Sequence, residues 1–321
     1  MANSFTILMP YYMDLEPARS LLRQIDSLYR TRVTGVVIVD DGSPEAELDP
    51  PALSGLNFPV HIVRLKRNVG HQMALSAGLA YMVKQDMQDR VVVMDSDGED
   101  MPEHIEELLK EAGKGAQVVV ARRSQRSEGV RFSIGYQVYK FLFWLLTGLT
   151  IDFGNFCVLE RAAVKRLVNY SETGIHFPAT VIKTGLKLTR VAIPRGRRTG
   201  GRSHLGFSGL VMHGMNAIKV FSSHALSRTI IFATGLVIAL TGTIVTAGFI
   251  KFMGFASPGW LTSIVGFSIA TILQTLILLM VMLMALDNRT FSTFGPQGDY
   301  ADLIESVMRV EPAHPARRAA E

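Results

Sequence analysis

Short apolar runs alternate with amphipathic stretches through the first 125 residues of the chain. The apolar runs have the length of β-strands and lie at Phe5–Met9, Gly35–Val39, Val60–Leu65, Arg90–Met94 and Gln117–Ala121. Helical periodicity appears between several of them, at Pro17–Arg30, His71–Lys84 and Pro102–Ala112. Alternating strands and helices are typical of a doubly wound, mostly parallel sheet. The pattern therefore predicts an α/β fold whose ligands bind beyond the carboxyl ends of the strands.

Two uncharged segments toward the C-terminus have the length of membrane spans. They are Thr229–Ile250 and Trp260–Leu286. About 20 apolar residues are enough for a helix to cross the hydrocarbon core of a bilayer. The connection between them, KFMGFASPG, is too short to form a domain. The sequence therefore predicts a transmembrane hairpin, against the alternative of two buried core helices.

Basic residues are distributed unevenly around this hairpin. The loop between the spans carries Lys251 alone, whereas the flanks carry Arg190, Arg195, Arg197, Arg198, Arg202, Lys219, Arg228 and Arg289. The positive-inside rule then predicts that both termini lie in the cytoplasm. The N-terminal MANSFTILMP lacks a basic region followed by a long apolar core, so we expect no cleavable signal peptide. The expected location is the cytoplasmic (inner) membrane, crossed twice.

Four parts of the chain follow from these boundaries. We expect a cytoplasmic α/β domain at 1–200, a juxtamembrane helix at 201–228, the two spans at 229–286 and a cytoplasmic tail at 287–321. The tail ends in EPAHPARRAAE and is expected to be partly disordered. Two moderately apolar segments, Phe132–Gly148 and Leu205–Leu226, are candidates for helices at the lipid headgroups. The alternative is that each of them packs on the domain core.

The chain has a formal net charge of +5 and an isoelectric point near 9.3. An excess of positive charge favours a polyanionic partner, which can be anionic lipid, nucleotide or nucleic acid. Nucleic acid is the weakest of these, because the basic residues cluster beside the hairpin and no binding motif is recognisable. The single cysteine, Cys157, excludes an intrachain disulfide.

Carboxylates follow two of the predicted strands. Asp40 and Asp41 end the second strand, and Asp95 and Asp97 follow the fourth. Alternate residues of an extended chain share one side, so Asp95 and Asp97 repel each other unless a cation lies between them. A hard divalent ion, Mg²⁺ or Mn²⁺, that also binds substrate phosphates would satisfy them. A solvated acidic turn is the alternative for either pair taken alone.

The segment Asn68–Gln72 follows the third predicted strand and opens a helix. Backbone N–H groups at a helix start favour anions, and Gly70 permits a tight turn there. Neither a Walker loop nor a G-x-G-x-x-G occurs, which argues against P-loop and dinucleotide-binding proteins. Guanidinium groups suited to phosphate follow the fifth strand, at Arg122, Arg123, Arg126 and Arg131. A solvated or headgroup-facing basic stripe is the alternative for some of them.

The order of these motifs resembles that of a known family. The segments MPYYMDLEPA, VVIVDDGSPE, RNVGHQMALSAGL and VVVMDSDGEDMPE resemble family 2 glycosyltransferases of the GT-A fold. With IDFGNFCVLERAAV, RRTGGRSH and the hairpin, the chain is similar to the polyprenyl-phosphate glycosyltransferases, which include dolichol-phosphate mannose synthase and bacterial prenyl-phosphate glucosyltransferases. The match runs from about residue 5 to 290. It implies metal-dependent, inverting transfer of a sugar from a UDP- or GDP-linked donor to a polyprenyl phosphate, in the synthesis of cell-envelope glycans.

The resemblance implies a role for each matching residue. Asp41 and Asp40 would hold the base and ribose of the nucleotide, and Asp95 and Asp97 would bind the metal, with Asp97 the main ligand. The nucleotide-sugar would be bound by Pro10, Tyr12, Glu16, Asp40, Asp41, Asn68, Gly70, His71, Gln72, Asp95, Ser96 and Asp97. The acceptor and diphosphate would be bound by Arg122, Arg126, Arg131, Arg198, Ser203 and His204. His204 stands where the family pattern has a lysine.

The segment Asp152–Cys157 departs from the family pattern. Close relatives often read Asp-x-Gly-Asp-Phe-Arg, in which the second aspartate is a candidate base. This chain has Asn155 in place of that aspartate and Cys157 in place of the arginine. Either Asp152 acts as the base or no side-chain base is needed, so the expected catalytic residues are Asp152, Asn155 and Asp97. A phosphate monoester is already largely ionised at pH 7, so its attack mainly needs positioning and charge neutralisation. The departure therefore favours a phosphate acceptor over a hydroxyl acceptor.

Two other functions stay open at the level of sequence. The first is a glycosyltransferase with another acceptor, such as a glycolipid hydroxyl or a growing polysaccharide. Processive polysaccharide synthases usually carry a Gln-x-x-Arg-Trp motif, which this chain lacks. The second is a non-catalytic, membrane-tethered protein that binds a nucleotide-sugar, which Asn155 and Cys157 would suit. A two-helix anchor is also compatible with a homo-oligomer.

Overall fold

A computed structural model describes residues 4–44, 48–87, 89–123, 130–194, 196, 207–255, 259–287 and 300–313. These residues form two compact units. The first unit comprises the described parts of Met1–Ser133, Ile151–Val220 and Thr293–Glu321. The second comprises those of Ile134–Thr150 and Phe221–Ser292.

One mixed sheet forms the centre of the first unit. Its strands are β1 (Phe5–Tyr11), β2 (Val33–Asp40), β3 (Val60–Leu65), β4 (Arg90–Val93), β5 (Val118–Arg123), β6 (Phe153–Leu159), β7 (Leu188–Ile193) and β8 (Ile304–Val310). They lie in the order β7-β5-β6-β4-β1-β2-β3-β8. The pairs β4-β1, β1-β2, β2-β3 and β5-β7 are parallel, while β6 and β8 run antiparallel to their neighbours. All five predicted strands are present, and the predicted α/β fold is confirmed.

Helices cover both faces of this sheet. The helices of the chain are α1 (Leu15–Tyr29), α2 (His71–Lys84), α3 (Ile105–Ala112), α4 (Val130–Thr147), α5 (Arg161–Leu167), α6 (Phe177–Lys183), α7 (Phe207–Val220), α8 (Ser222–Phe252), α9 (Trp260–Asp287) and α10 (Tyr300–Leu303). Successive side chains of a strand point to opposite faces of the sheet, so the hydrophobic core consists of two clusters, one on each face. Ile7 and Met9 of β1 pack with α1 and α3, whereas Leu8 packs with α2, α5 and α6. The near-continuous apolar strands are therefore buried on both faces.

The C-terminal segment belongs to the fold of the first unit. β8 pairs with β3, from Val60 opposite Val310 to Leu65 opposite Ile304. The Tyr300 hydroxyl lies 2.6 Å from Ser76 Oγ of α2, and both side chains are buried. These contacts correct the expectation that residues 287–321 form a separate tail, because residues 300–310 complete the sheet. The partner strand lies more than 200 residues earlier, so local sequence gives no sign of the pairing.

Replacing Tyr300 with phenylalanine should lower the free energy of unfolding by about 1–2 kcal/mol, because the buried Ser76 hydroxyl loses its hydrogen-bond partner. Thermal or denaturant unfolding of the full-length protein in detergent measures this loss. The double replacement Tyr300→Phe and Ser76→Ala should recover part of it, because neither hydroxyl is then left unsatisfied. Strictly additive losses would contradict a direct interaction between the two hydroxyls.

A buried histidine begins α6. His176 Nδ1 accepts a hydrogen bond from the backbone N–H of Ala179 at 3.1 Å, and its ring lies against that of His213 of α7, with centroids 4.3 Å apart and planes tilted by 36°. Burial, together with the neighbouring His213, lowers the pKa of His176 to about 3. The imidazole is therefore neutral in the folded protein at every pH near 7.

The depressed pKa of His176 makes stability depend on pH. The unfolded state takes up a proton near pH 6.5, whereas the folded state does so only near pH 3. Neutral His176 therefore makes its full contribution to the free energy of unfolding above about pH 6.5. Below that pH the free energy of unfolding falls by about 1.4 kcal/mol per pH unit, until the pH approaches 3. His176→Asn keeps a good N-cap residue but cannot titrate, so its unfolding free energy should fall less between pH 6 and 4.5. Equal slopes for the two proteins would contradict this account.

The second unit contains two helices that are long and apolar enough to cross a membrane, Ser222–Phe252 and Trp260–Met282. α8 and α9 pack against each other, and their apolar side chains remain largely exposed, for example Ile231 at 68% and Phe267 at 76%. The hydroxyls of several threonines donate to backbone carbonyls four residues earlier: Thr229, Thr241, Thr243, Thr246, Thr271 and Thr275. Exposed apolar surface with internally satisfied hydroxyls suits hydrocarbon surroundings.

The two predicted interfacial segments differ in structure. Within the second unit, the end of α4 packs on the start of α8, where Arg228 donates to the carbonyls of Trp144 and Leu145 at 2.9 and 3.0 Å. The other segment, Leu205–Leu226, is not one helix, because α7 ends at Val220 and α8 begins at Ser222. α7 exposes an apolar set and buries Ala217 and Val220; the exposed set is Val211, Met212 and Met215. Placement at the lipid headgroups stays a prediction for both.

Candidate active site

Asp40, at the end of β2, is held by partners inside the protein. It is fully buried. Its Oδ2 accepts a hydrogen bond from Nε of Arg64 at 3.0 Å, and its Oδ1 accepts the backbone N–H of Ser43 at 3.0 Å. Oδ1 therefore stabilises the turn after β2, and Oδ2 joins the end of β2 to β3. This differs from the predicted contact of Asp40 with the nucleotide, because no part of its carboxylate faces solvent.

The carboxylate of Asp41 lies at the start of α2. Val69 and Gly70 donate their backbone N–H groups to its two oxygens, at 2.7 and 2.9 Å. Burial raises the pKa of Asp41, and these two hydrogen bonds partly offset the rise. The predicted anion site is thus present, but the anion on these two amides is the chain's own carboxylate. Asp41 thereby fixes the loop after β3 beside the end of β2.

Asp95 and Asp97 lie in the turn after β4, and both are partly exposed. The backbone N–H of Asp95 donates to Oδ2 of the buried Asp100 at 2.9 Å. Asp97 Oδ1 accepts the backbone N–H of Glu99 at 3.0 Å. The turn is therefore held by its own polar groups, and the two carboxylates are presented at the carboxyl edge of the sheet, as the sequence predicts.

His71, the first residue of α2, joins these carboxylates. Its Nε2 lies 3.1 Å from Asp95 Oδ1. Desolvation lowers the pKa of His71, but the negative charges of Asp95, Asp97 and Asp41 outweigh it, so the pKa is raised. Asn155 Nδ2 lies 2.9 Å from the same His71 nitrogen and 3.3 Å from Asp95 Oδ1. Residues from α2, from the turn after β4 and from β6 thus meet in one polar cluster.

Asp152 lies between two arginines. Its Oδ2 is 3.1 Å from Nε of Arg122, and its Oδ1 is 3.0 Å from Nε of Arg190. The Arg190 guanidinium also lies 5.9 Å from the centre of the Phe153 ring. Both carboxylate oxygens accept from guanidinium groups, which argues against the expectation that Asp152 is the general base. Arg190 is 38 residues from Asp152 along the chain, so the sequence indicates it only as part of the basic flank of the hairpin and not as a partner of Asp152.

The other predicted donor-binding residues lie at or beyond the carboxyl ends of β1, β3 and β4, with different exposure. Pro10 and Ser96 are buried, Tyr12 is half-buried and Asn68 is exposed. Glu16 lies in the first turn of α1 with 79% of its side chain exposed. Four predicted residues lie outside the described part of the chain, namely Arg126, Arg198, Ser203 and His204. Arg131 lies in α4, but its side chain is also outside what is described.

A small cleft opens beside the turn after β4. It is lined by Glu99, Asp100, Met101, Ala121, Gly154, Phe156, Ile193 and Pro194. The backbone N–H of Gly196 donates to the carbonyl of Glu99 at 3.0 Å, so the segment after β7 lies over this turn. A Cβ at Gly196 would lie 3.0 Å from that carbonyl oxygen, which explains the glycine. The cleft thus borders Glu99 and Asp100, in the same turn that carries Asp97.

The carboxylates suit a divalent cation that the substrate helps to bind. Among the residues that the structure describes, no three or more His, Cys, Asp and Glu side chains are grouped to hold a metal. Mg²⁺ and Mn²⁺, however, are commonly bound by one or two carboxylates together with substrate phosphates. Asp95 and Asp97 supply hard oxygen donors of this type, so they fit such an ion completed by a diphosphate.

The sequence model of the family Glycosyl transferase family 2 matches residues 6–168 of the chain. The chain belongs to this family. The matched range contains the whole polar cluster described above, from Asp41 to Asn155. The resemblance to family 2 glycosyltransferases that the sequence motifs predict is therefore confirmed.

Relatives within family 2 cover different parts of this chain. The glycosyltransferase YkcC of Bacillus subtilis is 29% identical over 60% of this chain, and the match spans 59% of that relative's length. The undecaprenyl-phosphate 4-deoxy-4-formamido-L-arabinose transferase of Klebsiella pneumoniae is 23% identical over 96% of this chain and 91% of its own length. The second similarity therefore includes the two long apolar helices.

Solved structures with a similar fold include glucosyl-3-phosphoglycerate synthase from Mycobacterium tuberculosis. Its complex with Mn²⁺, UDP and phosphoglyceric acid aligns with a TM-score of 0.51 at 17% identity, over 70% of this chain and 78% of that chain. Its complex with Mn²⁺, UDP-glucose and phosphoglyceric acid aligns with a TM-score of 0.50 at 18% identity, over 70% and 80%. At these identities the likeness shows the fold alone.

Proposed function

We propose that this family 2 member transfers a sugar from a UDP- or GDP-linked donor to a polyprenyl phosphate, with inversion at the anomeric carbon. One observation carries the proposal: the similarity to the undecaprenyl-phosphate transferase of Klebsiella pneumoniae extends over 96% of this chain. A shared length that includes both apolar helices favours a shared lipid acceptor. The transfer would take place at the cytoplasmic face of the inner membrane, with both termini in the cytoplasm.

The donor would bind at the carboxyl edge of the sheet. Asp97 and Asp95 would hold Mg²⁺ or Mn²⁺ against the donor diphosphate, and the bound cation would neutralise the charge of the leaving nucleotide. The Mn²⁺ and UDP named for the M. tuberculosis complex support such a donor site. Tyr12, Asn68 and the loop fixed by Asp41 would position the nucleotide.

The acceptor would need no side-chain base. A phosphate monoester has its second pKa near 6 and is largely dianionic at pH 7, so one of its oxygens can attack directly. The ion pairs of Asp152 and the amide at Asn155 agree with this chemistry. The predicted acceptor residues, which include Arg122, Arg126 and Arg131, would bind the lipid phosphate. Asp152 pairs with both Arg122 and Arg190, so it would hold Arg190 beside Arg122.

A panel of nucleotide-sugars tests the donor side of this proposal. Membranes that contain the full-length protein are incubated with a short prenyl phosphate, Mn²⁺ and one UDP- or GDP-sugar at a time. We expect one donor to give a lipid-linked sugar, and chelation of the metal to stop the reaction. Tight binding of a nucleotide-sugar without turnover would instead indicate a non-catalytic binding protein. Formation of a polymer would indicate a polysaccharide synthase.

A further inference from the structure

Two amide side chains form a bridge between three elements at the site. Gln72 Oε1 accepts the backbone N–H of Phe177 at 2.5 Å, and Gln72 Nε2 donates to Asn155 Oδ1 at 3.3 Å. Asn155 Nδ2 in turn donates to Asp95 Oδ1 at 3.3 Å. The side chains of Gln72 and Asn155, which we call the amide bridge, thus connect the start of α6 to the carboxylate after β4.

The orientation of both amides follows from one backbone group. The Phe177 N–H can only donate, so the Gln72 oxygen must face it and the Gln72 NH₂ must face Asn155. The Asn155 oxygen then accepts, and its NH₂ points to Asp95 and His71. The direction of the hydrogen bonds from Phe177 to Asp95 is therefore set by the start of α6, whereas the contact between Asn155 and His71 depends on which His71 nitrogen carries a proton.

The amide bridge also changes the role expected for Gln72. The resemblance predicts that Gln72 binds the nucleotide-sugar, but both ends of its amide are hydrogen-bonded within the protein. Each end of the amide keeps one further hydrogen-bonding position, so these two bonds hold the amide in place without excluding a contact to the donor. The amide bridge adds a connection from Gln72 to Asp95 through Asn155.

We infer that Gln72 is a positioning residue, which holds the Asn155 amide in the one orientation that fixes the carboxylate of Asp95 for the metal and diphosphate. The inference rests on the donor site of the proposed function. Without Gln72, the Asn155 amide can turn over and direct its oxygen toward Asp95. Two oxygens then face each other, and the carboxylate moves away from the position that suits the cation.

Gln72→Met tests this role, because methionine fills similar space without hydrogen-bonding strongly in either direction. Loss of a residue that orients a metal ligand typically weakens metal binding by about 10- to 100-fold. We expect that loss in the affinity for Mn²⁺, measured by electron paramagnetic resonance on the full-length protein with UDP and with GDP. Asn155→Ala should give a similar loss, and the double variant should be no weaker than Asn155→Ala alone.

Gln117 offers a matched control. Gln117 directly precedes β5. Its Oε1 accepts a hydrogen bond from the backbone N–H of Lys187 at 3.0 Å, which is the same kind of bond that Gln72 makes to Phe177. Gln117→Met should destabilise the fold to a similar extent and leave the Mn²⁺ affinity unchanged. Wild-type Mn²⁺ affinity in Gln72→Met, or losses that multiply in the double variant, would overturn the inference.

The outcomes also separate this inference from the proposed function. If the wild-type protein binds Mn²⁺ with a nucleotide but makes no prenyl-linked sugar, the proposed acceptor is wrong. The Mn²⁺ affinities of the wild-type protein and Gln72→Met still test the positioning role of Gln72. If the wild-type protein makes the product and Gln72→Met binds Mn²⁺ normally, the inference alone fails. A wild-type protein that binds no Mn²⁺ would overturn both.

Discussion

Replacing Asp97 with asparagine should lower the rate of sugar transfer by about 100- to 1,000-fold, the usual effect of removing one group that stabilises charge at the reacting centre. The asparagine oxygen can still accept the backbone N–H of Glu99, so the turn after β4 should keep its shape. What is lost is a negative charge opposite the cation and diphosphate. The rate is measured in membranes with saturating donor, prenyl phosphate and Mn²⁺.

Unfolding and a distant carboxylate provide the controls for this variant. The midpoint of thermal unfolding should change little, because Asp97 is partly exposed and its hydrogen bond is retained. Glu107→Gln, on the exposed face of α3, removes one negative charge elsewhere and should leave the rate unchanged. A rate for Asp97→Asn within a few-fold of the wild-type rate would show that Asp97 does not bind the metal.

Gly42→Ala should destabilise the protein by about 3 kcal/mol or more. Gly42 has a φ of +68°, which costs an alanine about 1–2 kcal/mol. In addition, a Cβ at Gly42 would lie 2.3 Å from the carbonyl carbon of Arg67, so the turn after β2 must move away from the loop after β3. Asp41 bridges these two segments, so nucleotide binding should weaken with stability.

Gly55 separates the two causes of this loss. Its φ of +91° is also positive, but a Cβ there would meet no atom within 4 Å. Gly55→Ala should therefore lose only the conformational part, about 1–2 kcal/mol, and keep nucleotide binding. Denaturant unfolding and nucleotide titration are measured on both variants. Equal losses for Gly42→Ala and Gly55→Ala would contradict the close approach of the two loops.

The sheet was predictable from sequence where the hydrophobic pattern is local. β3 and α2 begin and end at the predicted residues, because each is bounded by its own turn signals, such as Gly70 before α2. β8 was not predictable, since its stability comes from a partner far earlier in the chain and from the buried Tyr300 and Ser76. The break between α7 and α8 at Phe221 also carries no Gly or Pro that would mark it.

The site was predictable as a set of residues, but its internal partners were not. Sequence motifs select Asp41, Asp95 and His71, and the structure brings all three together. The hydrogen bonds decide which oxygens remain for a ligand. Asp40 and Asp152 are residue types suited to binding and catalysis, yet arginines from other strands take their carboxylates. Such pairings depend on strand order and register, which the sequence does not state.

The phosphate of the acceptor is the central claim, and a matched pair of lipids tests it most directly. Full-length protein in lipid nanodiscs is given the active nucleotide-sugar and Mn²⁺ with either undecaprenyl phosphate or undecaprenol. We predict that sugar is transferred only to the phosphate, as a product that mild acid releases and whose anomeric configuration is opposite to that of the donor. Transfer to undecaprenol at a comparable rate, or a polymeric product, would contradict the account.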